Sequence, residues 1–319
     1  MGSRAGTAKR RSRLTRGWVG YLFASPWLVG FLGLTLLPMI ASLVLSLLKW
    51  NGVTLGEWQW VGAANYRHAI EDEFVGKALW NTFFYSFLAV PLGLTVSLGL
   101  AVLLNQKLRG INLFRTIFYM PHVIGGVATI MMWIWVFNPD FGILNTALRA
   151  GGSVLQGIGL LSADWQPPSW LNDERWSKPS LIIMSVWGAG GAMLIFLAAL
   201  QNVPEQLYEA ADIDGAGRWR KFRHITVPQI SPAIFFNLVM GIIGSFQVFN
   251  QAYIISRGTG EPRNSLLFYV LYLYLKAFHD FEMGYASALA WILFVIILAL
   301  TLIVIRSSAL WVYYEGEEA

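Results

Sequence analysis

The densest run of charge in the chain is EAADIDGAGRWRKFRHITVP, from Glu209 to Pro228. Glu205, Glu209 and Asp212 recur at i, i+4 and i+7, so a helix through them carries one acidic face. Leu207, Ala210, Ala211 and Asp214 fall around its other sides, and the two alanines let a neighbouring chain come close. Asn202 is expected to cap this helix, Pro204 to sit in its first turn, and Gly215 and Gly217 to end it. RWRKF then makes a second short amphipathic piece, with Trp219 and Phe222 on one face, before Pro228 and Pro232 open an apolar run. The chemistry on offer is charge-based docking around a fixed bend. The competing reading is a solvated loop that merely joins two apolar segments.

A second set offers contact chemistry. Phe246, Phe249, Asn250 and Tyr253 stand at i, i+3, i+4 and i+7, one stripe of a helix. An amide between flat rings suits a sugar, and it equally suits hydrogen bonding between packed helices. Gly188, Gly190 and Gly191, in WGAGGAMLIF, read either as close packing or as a bent, cavity-facing backbone. The other reactive residue types exclude more than they offer. Cysteine is absent, which removes disulfides, thiol catalysis and cysteine metal sites. His68 and His279 lack a second ligand at metal spacing, and His122, beside Pro121, reads as a packing residue and not a proton relay. Gly76-Lys77 is followed by Ala78 and lacks the earlier glycine of a phosphate-binding loop. No catalytic residue, metal ligand or ATP hydrolysis is therefore expected in this chain, and energy for uphill transport would have to arrive through another protein.

The elements that hold these residues are apolar. The 319 residues are 56% hydrophobic and 13% charged, where soluble domains carry about 25% charge. An all-α polytopic membrane protein is expected. Six segments reach the roughly 20 residues that cross a bilayer core: 18–48 (interrupted by Pro38), 79–104, 116–137, 181–200, 233–255 and 286–305, none with Lys, Arg, Asp or Glu. An ion-coupled carrier usually needs an ionisable residue inside the membrane, so the empty spans speak against an ion-driven secondary transporter. A passive channel is the other alternative.

Basic residues set the orientation. Arg4, Lys9, Arg10, Arg11, Arg13 and Arg16, then Lys107, Arg109 and Arg115, then Arg218, Arg220, Lys221 and Arg223, fall on one side, and Arg306 closes the last span. The positive-inside rule puts both termini in the cytoplasm. The basic tail is an orientation signal, not a nucleic-acid site, and its neighbouring run is too long for a signal peptide. The expected divisions are a cytoplasmic tail at 1–17, a six-span domain at 18–306 with a polar loop at 202–230, and a short cytoplasmic tail at 307–319. Trp18, Trp50, Trp80, Trp135 and Trp311 sit near span ends, where indole prefers the interface. Trp58, Trp60, Trp165, Trp170 and Trp176 lie in outer loops, to stack on sugars or pack within the loops.

The polar run resembles the EAA motif of permease subunits from binding-protein-dependent ABC importers, through Glu209, Ala210, Ala211, Gly215, Ile225 and Pro228, with Val227 in place of the usual Leu. Asp214-Gly215-Ala216 is similar to the sugar-type members. SPWLVGFLGLTLLPMIASLVLSL, VGAANYR, FRTIFYMPHVIGGVATIMMWIWVFNPDFGILN and SFQVFNQAYIISRGTGEP resemble segments of the maltose and glycerol-3-phosphate permease group, although Asn250 stands where that group more often has Asp, and the two adjacent glycines usual before Pro262 are missing. The resemblance implies a type I importer permease fold in a prokaryotic cytoplasmic membrane. The short helix containing Glu209–Asp214 would be the coupling helix in the groove of an ATPase subunit, with Glu205 among the coupling residues. The implied partners are a second related permease, two ATP-binding subunits (which would bind the ATP and Mg), an extracytoplasmic solute-binding protein, membrane lipid and a carbohydrate. It also implies that Phe249 and Asn250 help line the solute path, with Phe246 and Tyr253 on the same face.

Overall fold

The computed structural model describes residues 21–54, 56–106, 108–157, 162 and 164–313. The tail at 1–17, Trp18, Lys107 and the end of the C-terminal tail at 314–319 lie outside the described residues. In chain order the main elements are α1 (Tyr21–Ser46), a two-residue ribbon of β1 (Leu48–Lys49) and β2 (Gln59–Trp60), α2 (Ala64–Glu71), α3 (Glu73–Leu104), α4 (Ile111–Val123), α5 (Gly126–Val136), α6 (Ile143–Gly157), α7 (Glu174–Trp187), α8 (Gly190–Gln201), α9 (Glu205–Ile213), α10 (Arg218–Lys221), α11 (Ser231–Phe246), α12 (Asn250–Ser256), α13 (Tyr269–Tyr274) and α14 (Met283–Ser308). The chain divides into two compact units, Met1–Ala69 with Lys276–Trp291, and Ile70–Leu275 with Ile292–Ala319.

In the first unit, α1 runs unbroken through the proline expected to interrupt it. A π-helical turn at Leu32–Leu36 precedes Pro38 and widens the helix where the proline ring and its missing N–H would otherwise break it. β1 pairs antiparallel with β2, Leu48 opposite Trp60. The Asn65 amide clamps this ribbon by donating to the carbonyls of Ser46 and Leu48 at 2.8 and 2.9 Å. Gly284 lets the start of α14 lie directly on it, since a Cβ there would stand 1.9 Å from the Leu48 carbonyl oxygen. His68 rests against the Tyr285 ring at 4.7 Å, a packing role.

The second unit is organised around α3. Asp72 caps it by accepting from the Phe74 N–H, so the helix begins two turns ahead of the apolar run expected at residue 79. One side of its last turns packs against α8, burying Ala101, Leu104, Met193, Phe196, Leu197 and Leu200, with Val203 and Ile230 completing the cluster. Ser97, buried, donates to the Ala189 carbonyl at 2.9 Å and ties α3 to the start of α8. Gly190 and Gly191 resolve the choice between packing and an open cavity. A Cβ on Gly190 would lie 2.4 Å from the Phe118 carbonyl oxygen, and one on Gly191 would lie 2.7 Å from the His122 ring. The glycines let α4 and α8 meet backbone to backbone, and His122 fills the gap beside them. In the loop at 138–173, Asn145 accepts from the Trp170 indole at 2.7 Å and donates to the carbonyls of Pro139 and Pro168. Trp165 lies over Gly152 and Trp170 against Phe137 and Trp176, so these rings pack within the loops.

Four helical stretches are long and apolar enough to cross a membrane: Tyr21–Ser46, Glu73–Leu104, Ser231–Ser256 and Met283–Ser308. The expected spans at 116–137 and 181–200 are each split. α4 and α5 meet at 97° where Ile124 and Gly125 turn extended, and α7 and α8 meet at 45° around Gly188. The total reaches six when each bent pair counts as one span.

Candidate functional site

The polar island folds as an elbow. α9 buries none of its nine residues. Two expectations about its start need correction. Asn202 is the C-cap of α8 and not the N-cap of α9, and Pro204 takes the N-cap position itself, with extended backbone and no side-chain cap bond. Polar cap residues suit both ends of helices, and here Asn202 follows directly on the last turn of the preceding helix, which ends at Gln201. Asp214 closes α9, Gly215 turns the chain at φ +71°, and Gly217 is extended. The second limb starts at Arg218 and continues through a π-helical turn at Phe222–Thr226 to Gln229. Trp219 and Phe222 stack at 5.6 Å, as their spacing predicts.

Two contacts set the angle of the elbow. The Tyr208 and Thr226 hydroxyls share a hydrogen bond at 2.9 Å, and Lys221 donates to Asp212 at 2.6 Å. Asp212 is thus held within the elbow, while Glu209 and Ala210 stay exposed on α9 and Ala211 is half-buried. Ile225 and Tyr208 pack against the α3–α8 core cluster, and Pro228 is half-buried on the second limb. The limbs are thereby seated on the α3–α8 pair behind them.

The four residues of the expected stripe do not share one face. Gln247 to Phe249 break the helix, Phe249 standing at φ −131° and ψ −58°. Phe246 is buried edge-on against Phe83 at 5.0 Å. Phe249 and Tyr253 instead join Tyr274 in a cluster with ring centres 5.0 to 5.4 Å apart. Asn250, exposed, opens α12 beside them. A separate cleft of about 290 Å³ runs among α3, the α7–α8 pair and α11, where Tyr85, Ser185, Asn237, Ser245 and Gln251 contribute polar groups among small residues.

A family model described as "Binding-protein-dependent transport system inner membrane component" matches residues 79–312. The chain belongs to this family. It is 42% identical over 315 residues to the probable ABC transporter permease protein YesP of Bacillus subtilis (strain 168), covering 98% of this chain and 97% of that relative. It is 36% identical over 299 residues to the arabinooligosaccharides transport system permease protein AraP of the same organism, covering 93% and 90%. A chain from the crystal structure of a bacterial alginate ABC transporter, in complex with an alginate pentasaccharide-bound periplasmic protein, superposes with a TM-score of 0.76 at 23% identity, covering 93% of this chain and 96% of that one, and so shares its fold.

As an inner-membrane transport component, this chain is a membrane-embedded helical permease. Sequence reasoning missed the polar lining of its cleft. The signal was available: Asn237 and Gln251 are amides inside charge-free apolar runs, where polar side chains carry a cost. Asn237 is satisfied by its own helix, donating to the Ala233 carbonyl at 2.8 Å. Among the described residues, the Gln251 side-chain amide has no hydrogen-bond partner within the chain. No group of three or more metal-binding side chains gathers among the described residues.

Proposed function

We propose that this chain is the permease subunit of an ATP-driven importer for a carbohydrate: a sugar, an oligosaccharide or a polyol phosphate. It crosses a prokaryotic cytoplasmic membrane six times with both termini inside, each bent pair counting as one crossing. The arabinooligosaccharide relative supports the carbohydrate class. The observation that carries the mechanism is the elbow: an exposed acid-bearing helix, bent at Gly215 and braced on the spans behind it. Such a part is fit to be gripped by a partner and to pass the partner's motion on.

In this reading α9 is the coupling helix, with Glu205, Glu209, Ala210, Ala211, Asp212, Asp214 and Gly215 at or beside the ATPase groove, and Ile225 and Pro228 anchoring the second limb. ATP and Mg bind the partner ATPase. A pair of such subunits closing on ATP draws the elbows together, and this permease swings against a second, related one between inward-facing and outward-facing states. A solute-binding protein delivers its load from outside. Asn250, Phe249 and Tyr253 meet the solute on a face that the second permease completes, while Phe246 serves packing.

The test is charge reversal on the docking face. Glu209→Lys should leave the protein inserted in the membrane and reduce the ATPase recovered with it about tenfold or more, since like-charge contacts at an interface cost several kcal/mol. Undiminished ATPase recovery refutes the coupling assignment. Uptake that follows a proton or sodium gradient without any ATPase would favour an ion-driven carrier. Uptake that persists but only runs downhill would favour a channel.

A further inference from the structure

A second pocket, of about 290 Å³, lies behind the elbow, and its walls differ in chemistry. Val102 and Leu200 form an apolar side, while Asn105, Arg218 and Lys221 form a polar one. Tyr208 and Thr226, hydrogen-bonded to each other, also line it. The change from one wall to the other coincides with the end of α3, where its long apolar run stops at Asn105. A bilayer passes from hydrocarbon to headgroup over the same kind of boundary.

The charges around the pocket leave a cation over. Lys221 is neutralised by Asp212 at 2.6 Å. Among the described residues, the Arg218 side chain has no hydrogen bond or ion pair. Arg115 donates twice to the Leu104 carbonyl, at 2.9 and 3.3 Å, which sets a further guanidinium beside Asn105. Arg220 and Arg223 are exposed on the same limb. Trp219, 72% exposed, stacks on Phe222, which itself lines the pocket. An exposed indole beside basic residues at a span end is the composition of a headgroup-level contact.

We propose that this pocket binds the phosphate of an anionic membrane lipid, with the Arg218 guanidinium as charge partner, Asn105 as hydrogen-bond donor and the Val102–Leu200 wall against the glycerol and first methylenes. Arginine matches phosphate oxygens with two parallel donors, and a lysine already held by a carboxylate adds a third at the rim. The bound lipid would wedge between the second limb of the elbow and the end of α3, and so fix the elbow's rest position. The proposal rests on the pocket and its charge, and it stands whatever solute is carried.

The purified full-length chain in detergent, examined by native mass spectrometry, tests it with three probes: phosphatidylglycerol, phosphatidylcholine and inorganic phosphate. The wild type should retain phosphatidylglycerol in preference to phosphatidylcholine. Arg218→Gln should retain about fivefold less of it, and Arg220→Gln, outside the pocket lining, should match the wild type. Val102→Trp, which fills the pocket from its apolar side, should lose the lipid as well and decides the matter if Arg218→Gln does not fold. Equal retention by wild type and both pocket variants overturns the site. Equal retention of the two lipids overturns the requirement for an anionic headgroup, and displacement of phosphatidylglycerol by millimolar inorganic phosphate overturns the lipid as the source.

Discussion

Where Gly190 has no side chain, the backbone of Phe118 occupies the space. Gly190→Ala would put a methyl 2.4 Å from a carbonyl oxygen that is itself fixed in a helix. Overpacking of this kind costs roughly 1–3 kcal/mol, so thermal unfolding in detergent should begin at lower temperature than in the wild type; an unchanged midpoint would show that α4 and α8 can separate freely. Charge is handled differently at the loop before α14. Lys276 lies 2.9 Å from Asp280 and 3.4 Å from Glu282. Burial pulls the Lys276 ammonium down, but its bonds and charge contacts with these two carboxylates outweigh it and hold it above the ordinary value of 10.5. The Asp280 carboxyl is held below 3.8, by the hydrogen bonds from His279 and then Lys276. A lowered carboxyl stabilises above its unfolded value and loses that as pH falls through the folded one. A raised lysine stabilises below its unfolded value and loses that as pH rises through the folded one. Proteolytic cleavage after Lys276, normalised to unfolded chain, should therefore stay level from about pH 5 to 9 and rise modestly in Asp280→Asn, because the groups are partly exposed and screened.

At the scale of elements, the turn at Gly215 carries the consequence. A residue with a Cβ pays roughly 1–2 kcal/mol in the left-handed region, and more when β-branched. Gly215→Val should leave membrane insertion intact while loosening the elbow, read as a lower ratio of solute moved to ATP consumed in the assembled transporter. An unaltered ratio would mean that the bend is not part of the transmission. The bend, the acidic helix and the Trp219–Phe222 pair were all legible in the sequence, because glycine, charge spacing and an i, i+3 aromatic pair act locally. The break at Gln247–Phe249 was not. Counting i, i+3, i+4 and i+7 presumes an unbroken helix, and nothing in an apolar run announces where its hydrogen bonding lapses. The misplaced cap at Asn202 has a related cause, since where α8 stops is set by its burial against α3 and not by the residue type that follows. The four long apolar helices were readable because lipid imposes a composition over 20 or so residues, whereas the bend at Ile124–Gly125 depends on backbone angles that hydropathy does not record.

At the scale of the whole molecule, the proposed function puts the energy source in a partner subunit, which reconstitution tests. The chain reconstituted alone in vesicles should not accumulate a carbohydrate against a gradient. With its ATPase, second permease and binding protein restored it should, in a manner that survives a protonophore and stops when ATP is withdrawn. Accumulation by the lone chain would place the energy source inside it and end the reading.

The contact of α8 with its neighbours carries one more consequence. Bare backbone lies on bare backbone at Gly190, and a serine hydroxyl is pinned across at Ala189. Surfaces keyed so closely have no play, and three helices joined this way turn as a single block. The room is on the other flank, where a side chain at Gly244 would meet nothing within 4 Å and the cleft opens beside it.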